Sequence, residues 1–181
     1  DCERNYVFEN SPVKHKGIRY IKNRKQLMDE MFELKNELEE YKNLMADFGE
    51  RYKEYLEYAK QFAEEVKKKY VFFKMVQTDI LPMVFHIDYA SYDKNDPDYN
   101  MTGNVRTMKN QNVINVFCCM RDKESTRRTI RHEVLHYMLY IAGLKHDDDS
   151  AIFHYLCKEY DANAYKKMSD EEQALYNQFA N

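Results

Sequence analysis

Two histidines spaced four residues apart are the part of this sequence best suited to chemistry. His132 and His136 flank Glu133 in a run that reads His-Glu-x-x-His. On an α-helix, positions i and i+4 lie on one face one turn apart, so both imidazoles can reach a single metal ion. Glu133 then stands where a carboxylate can accept a proton from a water molecule held by that ion. The motif therefore predicts a metal site, with Zn²⁺ as the expected ion and Glu133 as general base.

The residues around the motif predict the helix that it requires. From Asp122 to Ala142 the pattern is helical, and Gly143 lies where helices commonly end. Apolar residues fill the flanking positions, which predicts a buried helix that holds both histidines in a cleft of low dielectric constant. This apolar setting disfavours the alternative of two surface histidines on an amphipathic helix.

A catalytic zinc site needs a third protein ligand and leaves its fourth position to water. His146 follows beyond the predicted turn at Gly143, and it is the expected third ligand, in a site that binds one zinc ion per chain. Asp148 and His154 are alternatives, because each also offers a donor atom downstream of the turn. Glu159 is a further alternative, since the segment that begins there resembles the helix that supplies a glutamate ligand in the gluzincins.

From the motif onward, the sequence resembles the SprT-like zinc metallopeptidases over residues 112–165. The positions that carry this resemblance are the motif helix and the spacing after it: His132, Glu133, His136, Tyr137, Leu139, Gly143, His146, Phe153 and Leu156. The resemblance implies a zincin core, a third histidine ligand and a peptide or protein substrate. The step from His146 to Phe153 is longer than is usual in that family, which keeps Asp148 open as the third ligand.

Motif and resemblance together predict an enzyme, a zinc-dependent metalloendopeptidase. In this hypothesis a metal-activated water attacks the peptide bond, and Glu133 acts as general base. The alternative is a non-catalytic, zinc-containing interaction module that uses a heptad-patterned helix to bind a partner or to dimerise.

That heptad pattern lies upstream of the motif. From Leu27 to Val66, apolar side chains recur in alternating steps of four and three residues over more than five heptads. The pattern predicts one long helix, or two helices that meet near Gly49, with a single apolar stripe. Two uses of the stripe are open: packing on the chain's own domain, or pairing with a second copy or a partner helix.

Alternation of apolar and polar residues predicts a small sheet between these helices. Strands are predicted at 83–89, 99–108 and 112–119, the last two joined by a hairpin loop at 109–111. The strand at 112–119 is either an edge strand, to which an extended substrate could add, or an interior strand.

Composition sets the limits of the fold. The chain has 181 residues, 44% of them apolar and 33% charged, with only 4 Gly and 3 Pro, which favours long regular elements over a sandwich or barrel. The predicted class is α+β, in which a long helical region packs with a small sheet and the motif helix. The expected segments are an irregular one at 1–22, the helical region at 23–71 and a zincin-like, minigluzincin-like core at 72–181.

Charge and cysteine content bear on partners and compartment. The formal net charge of −3 gives no global positive field for nucleic acid, and no apolar run is long enough for a membrane span. The four cysteines form no CxxC pair and are expected to be free thiols, which favours a cytoplasmic location. Cys2 keeps an N-terminally lipid-anchored form open.

Overall fold

The computed structural model describes residues 24–91, 93–108, 111–117 and 119–179. The predicted irregular segment at 1–22, Cys2 and most of the predicted hairpin loop lie outside the described residues. Within the described ranges, the elements in chain order are α1 (Arg24–Lys69), a 3-10 turn (Val71–Phe73), β1 (Met83–Phe85), β2 (Gly103–Met108), β3 (Gln111–Val116), α2 (Lys123–Ile141), α3 (Ala151–Glu159) and α4 (Asp170–Phe179). The predicted α+β class is confirmed.

The sheet has three strands in the order β1-β3-β2. β1 runs parallel to β3, with Met83 opposite Ile114, whereas β2 runs antiparallel to β3, with Gly103 opposite Val116. β3 is therefore the interior strand, which decides between the two predictions made for it. The motif helix α2 packs against β2 and β3. Of these two strands, β2 lies at the edge of the sheet, so the sheet edge next to α2 is that of β2.

α1 is one continuous helix of 46 residues, so no break occurs at Gly49. The chain divides into two compact units, Asp1–Asp47 and Phe48–Asn181. Within the first unit, the described residues are helical and the apolar stripe is exposed to solvent. The exposed members of the stripe are Leu27, Met31, Leu34, Leu38, Tyr41 and Met45.

In the second unit, the continuation of the same stripe is buried. Tyr55, Ala59, Phe62 and Val66 belong to one hydrophobic core together with residues of the sheet, α2 and α3. The Phe62 ring meets the Tyr160 ring edge to face, with centroids 5.3 Å apart. Packing of the stripe on the chain's own domain therefore holds for this part of α1.

α2 lies within this core. Asp122 caps its first turn, because the Asp122 carboxylate accepts a hydrogen bond from the Ser125 N–H at 3.0 Å. Of the apolar residues predicted to bury the helix, Ile130, Val134, Leu135, Met138 and Leu139 are buried, whereas Ile141, in the last turn, is exposed. Cys119 and Cys157 are also buried, and neither forms a disulfide. Among the described helices, none combines the length and apolar character that crossing a membrane requires.

We expect Phe62→Ala to lower the free energy of unfolding by about 3–5 kcal/mol, because it leaves a cavity between α1 and the aromatic ring that Phe62 contacts. Met75→Ala is the matched control: the Met75 side chain is 90% exposed, so its truncation should change the free energy of unfolding by less than about 0.5 kcal/mol. Chemical denaturation followed by circular dichroism measures both. Equal effects of the two changes would contradict the packing of α1 described above.

Candidate metal centre

α2 places the three motif residues in the wall of a cleft. His132 and Glu133 are each 4% exposed, and with His136 they line a cleft of about 380 Å³. Residues 103–105 of β2 line the same cleft. The helix therefore presents the motif to a cleft, as the sequence predicts, and the edge strand β2 forms part of the wall of that cleft.

The two imidazoles are oriented by backbone carbonyl groups. His132 Nδ1 donates to the carbonyl oxygen of Asn163 at 2.5 Å, and His136 Nδ1 donates to the carbonyl oxygen of His146. A neutral imidazole carries one proton, so a proton held at Nδ1 leaves the Nε2 lone pair available as an acceptor. Both rings are therefore oriented so that the Nε2 lone pair can coordinate a metal ion.

Three donor atoms converge on one point in front of α2. His132 Nε2 lies 3.1 Å from His136 Nε2, and Asp148 Oδ1 lies 3.4 Å from the first nitrogen and 3.3 Å from the second. In a tetrahedral zinc site with bonds of about 2.0–2.1 Å, two donor atoms lie about 3.3–3.4 Å apart. The triangle thus has the size of one face of a zinc tetrahedron. Among the described residues, this is the group that could hold a metal ion.

The electrostatics of the group favour a cation. Burial lowers the pKa of His132, but Asp148 and Glu133 outweigh burial, so the pKa of His132 is raised. Burial lowers the pKa of His136, and hydrogen bonds with the two histidines hold the pKa of the Asp148 carboxyl well below its usual range. Three lone pairs aimed at one point favour a positive charge among them, and a metal ion can satisfy all three at once.

The turn after α2 brings the chain back to the motif. Gly143 has a φ of +69°, a left-handed conformation that glycine adopts without strain, and the Leu144 N–H donates to the Leu139 carbonyl oxygen at 2.9 Å. This arrangement is a Schellman motif. It returns the following residues over the helix, so that the carbonyl group of His146 and the carboxylate of Asp148 both reach His136.

Asp148 is held by two further contacts. The His154 ring donates from Nε2 to the backbone carbonyl oxygen of Asp148 at 2.9 Å, and Lys166 Nζ lies 3.3 Å from Asp148 Oδ2. Because the lysine contacts Oδ2, the other carboxylate oxygen, Oδ1, stays directed at the two imidazoles. Asp148 is thus placed as the third donor of the group.

A buried arginine fixes the segment that orients the first imidazole. The Arg131 side chain is 11% exposed, and its guanidinium donates to the Asp161 carbonyl oxygen at 2.8 Å and to the Tyr58 hydroxyl at 2.7 Å. It also pairs with Glu124 at 2.9 Å. These bonds tie α1 and α2 to the chain two residues before Asn163, whose carbonyl group serves as the acceptor.

Aromatic rings complete the surroundings of the two imidazoles. The Phe153 ring stacks on His136 with centroids 3.8 Å apart and meets His132 edge-on at 5.0 Å. The Tyr165 ring lies 5.0 Å from His132. The sequence analysis uses Phe153 only as part of a spacing and does not place Tyr165 at the site, because the contact of either ring cannot be predicted from its position along the chain.

Glu133 lies beside the donor group rather than within it. Its Oε1 is 3.9 Å from His132 Nε2, and burial raises the pKa of Glu133 to about 8. The side chain passes directly over Gly103 of β2: a Cβ added there would lie 2.6 Å from Cγ and 2.8 Å from Cδ of Glu133. Gly103 therefore makes room for this carboxylate, a role that only the folded structure reveals.

His146, the expected third ligand, lies next to the donor group but contributes through its backbone. Its carbonyl oxygen accepts from His136, while its ring Nδ1 lies 3.3 Å from the Leu144 carbonyl oxygen and its ring packs against Tyr140. The structure thus brings together His132 and His136 with the alternative, Asp148, and leaves the His146 ring outside the group.

The other two alternatives occupy different positions. His154 supports the backbone of Asp148, as described above. The Glu159 carboxylate contacts Lys69 and the Tyr70 hydroxyl near the end of α1, outside the donor group. Glu159 is therefore not the third donor of the group. The resemblance of the segment that begins at Glu159 to a gluzincin helix does not locate that donor.

No family model matches this chain, and neither a curated protein nor a solved structure matches it. The resemblance to the SprT-like metallopeptidases therefore rests on the motif and its spacing.

We expect Asp148→Asn to weaken Zn²⁺ binding by at least about 100-fold, because even the partners that orient metal ligands are worth 10–100-fold in affinity. His146→Ala and Glu159→Gln are the matched controls and should retain one Zn²⁺ per chain, since the first keeps its backbone carbonyl group and the second lies outside the donor group. Calorimetric titration of the metal-free chain with Zn²⁺ measures all three. Loss of binding in His146→Ala with retention in Asp148→Asn would contradict the assignment of Asp148.

Proposed function

We propose that this chain is a zinc-dependent metallopeptidase with a zincin-type core. The observation that carries the proposal is the convergence of His132 Nε2, His136 Nε2 and Asp148 Oδ1 at 3.1–3.4 Å from one another, beside the buried Glu133. The resemblance of residues 112–165 to the SprT-like family supports the same activity. In this proposal Asp148 takes the place that the resemblance gives to a histidine.

The donor set fits a catalytic zinc ion. Two histidine nitrogens and one carboxylate oxygen are a ligand combination found in zinc hydrolases, and three ligands from the protein leave one position open. A zinc ion bound by His132, His136 and Asp148 would supply Lewis-acid activation of a water molecule and of the substrate carbonyl group.

Glu133 supplies the proton transfers that hydrolysis of a peptide bond requires. In its ionised form, which the positive charge of a bound zinc ion would favour, the Glu133 carboxylate accepts a proton from the attacking water at Oε1, the oxygen nearest His132. The same group then donates that proton to the amine that leaves. Because Gly103 has no side chain, β2 leaves room for this carboxylate beside the donor group.

β2 is suited to bind an extended peptide. It lies at an edge of the sheet, and residues 103–105 line the cleft next to Glu133. A peptide strand that adds to such an edge forms main-chain hydrogen bonds that do not depend on its sequence. We therefore propose an unfolded segment of peptide or protein as the substrate.

The alternative is a zinc-containing interaction module without turnover. The exposed apolar stripe of α1 favours a role in association, and a metal site can stabilise a fold without catalysis. The two functions differ in what they require of Glu133: a purely structural site does not need a buried carboxylate beside its donor atoms.

We expect Glu133→Gln to retain one Zn²⁺ per chain and to lower peptide hydrolysis by about 10²–10⁴-fold, because the amide cannot accept the proton of the attacking water. The measurement pairs metal analysis with cleavage of a quenched fluorescent peptide library by the zinc-loaded chain. Glu50→Gln, on the exposed surface of α1, is the control and should leave both values unchanged. Undiminished hydrolysis in Glu133→Gln, or no hydrolysis by the unaltered zinc-loaded chain, would count against the proposal.

We expect Gly103→Ala to retain Zn²⁺ but to lower kcat by about 10²-fold, since the added methyl group displaces the Glu133 carboxylate by about 1 Å. Gly49→Ala is the matched control, because a Cβ at Gly49 meets no atom within 4 Å. The same cleavage assay and metal analysis apply. Equal activity of the two variants would show that contact with Gly103 does not position Glu133.

A further inference from the structure

The part of the apolar stripe that lies in the first unit is exposed to solvent, and the described residues of that unit do not bury it. We call the side chains of Leu27, Met31, Leu34, Leu38, Tyr41 and Met45 the N-terminal stripe; each is exposed, from 39% at Met45 to 69% at Met31. The same spacing continues along α1 into residues that are buried in the core of the second unit. An exposed apolar face of this length on a helix is a site for association.

The charges beside the N-terminal stripe indicate which partner fits it. With Met31, Leu38 and Met45 at heptad position a, and Leu27, Leu34 and Tyr41 at position d, the flanking g positions are Glu30 and Glu37. The flanking e positions in the next heptads are Lys35 and Lys42. The remaining g and e positions of this segment, Leu44 and Met28, are apolar. At the charged positions, one edge of the stripe is therefore acidic, and the other is basic.

This arrangement is complementary to itself in one orientation. When two copies run parallel and in register, each g side chain faces the e side chain of the following heptad on the other copy. Glu30 then faces Lys35, and Glu37 faces Lys42, on both sides of the pair. In an antiparallel pair, g faces g and e faces e, which would set glutamate against glutamate and lysine against lysine.

We propose that residues 24–47 pair with the same residues of a second copy of this chain, as a parallel, in-register, two-stranded coiled coil. This inference is independent of the proposed peptidase activity. The Lys42 side chain also contacts Glu39 of its own helix at 2.9 Å, and its ammonium group has further N–H donors for a glutamate of the other copy.

The continuity of α1 favours the pairing. Helix formation has an unfavourable nucleation step, which an isolated segment must complete before it can pair. Residues 24–47 extend a helix that is already formed and buried over its later turns, so pairing does not have to nucleate it. Less conformational entropy is lost on association as a result.

The first test is the mass of the full chain in solution. We expect sedimentation equilibrium to give twice the mass of one chain. Lys35→Glu with Lys42→Glu should raise the dissociation constant of the dimer by at least about tenfold, because four attractive pairs become four repulsive ones. Glu33→Lys with Glu40→Lys, at the outward c positions, changes as many charges and should leave the dimer intact.

A mixing experiment separates pairing from damage to the helix. The chain with Glu30→Lys and Glu37→Lys carries only lysine at these g and e positions, whereas the Lys→Glu chain carries only glutamate. Each should be monomeric alone, and a one-to-one mixture should return to the dimer mass. A single-chain mass for the unaltered protein, or failure of the mixture to associate, would overturn the proposal.

Cross-linking tests the orientation. Leu27→Cys and Tyr41→Cys are examined separately in a chain that also carries Cys2→Ser and Cys118→Ser. Identical d positions face each other in a parallel, in-register pair, so both variants should form disulfide-linked dimers. An antiparallel pair can bring only one of the two positions to its own copy, so cross-linking of one variant or of neither would overturn the parallel arrangement.

Discussion

Two hydrogen bonds from imidazole Nδ1 atoms to backbone carbonyl groups determine what the cleft can do. They fix the ring orientations of His132 and His136 and favour a proton on each Nδ1, and they turn both Nε2 atoms toward Asp148. Two other features position the carbonyl groups that accept these bonds. The Schellman turn at Gly143 brings in one carbonyl group, and the Arg131 guanidinium anchors the segment that brings in the other. The donor triangle is therefore a product of backbone placement as much as of ligand identity.

Sequence reasoning located the parts of the site that depend on local geometry. The spacing of His132 and His136 fixes their common face, because a helix has one periodicity. The third donor depends on the path of the chain after the helix, and that path presents the carboxylate of Asp148 and only the backbone of His146. The importance of Gly103 could not be predicted at all, since it arises from a close approach between β2 and α2. Likewise, the order of the strands in the sheet cannot be predicted from the residue pattern of any single strand.

The long helix shows the same limit on a larger scale. One continuous heptad pattern predicted one apolar stripe, and α1 has it over its full length. Its later turns are buried in a core with the sheet, whereas its earlier turns are exposed. Periodicity reports which side chains share a face, and it carries no information on what covers that face. The flanking charges add that information for the earlier turns, because ion pairs depend on the sign of the partner.

The carbonyl acceptors of the two imidazoles have a consequence for how this site tolerates change. Every residue type has a backbone carbonyl group, so the side chains at 146 and 163 can be exchanged without removing either acceptor. The number of residues between each histidine and its acceptor is a stricter constraint: a single deletion or insertion in the loop between α2 and α3 would move the peptide group that holds His136. Divergence in this loop should therefore be permissive in amino-acid identity at position 146, restricted at Gly143 and Asp148, and intolerant of any change in loop length.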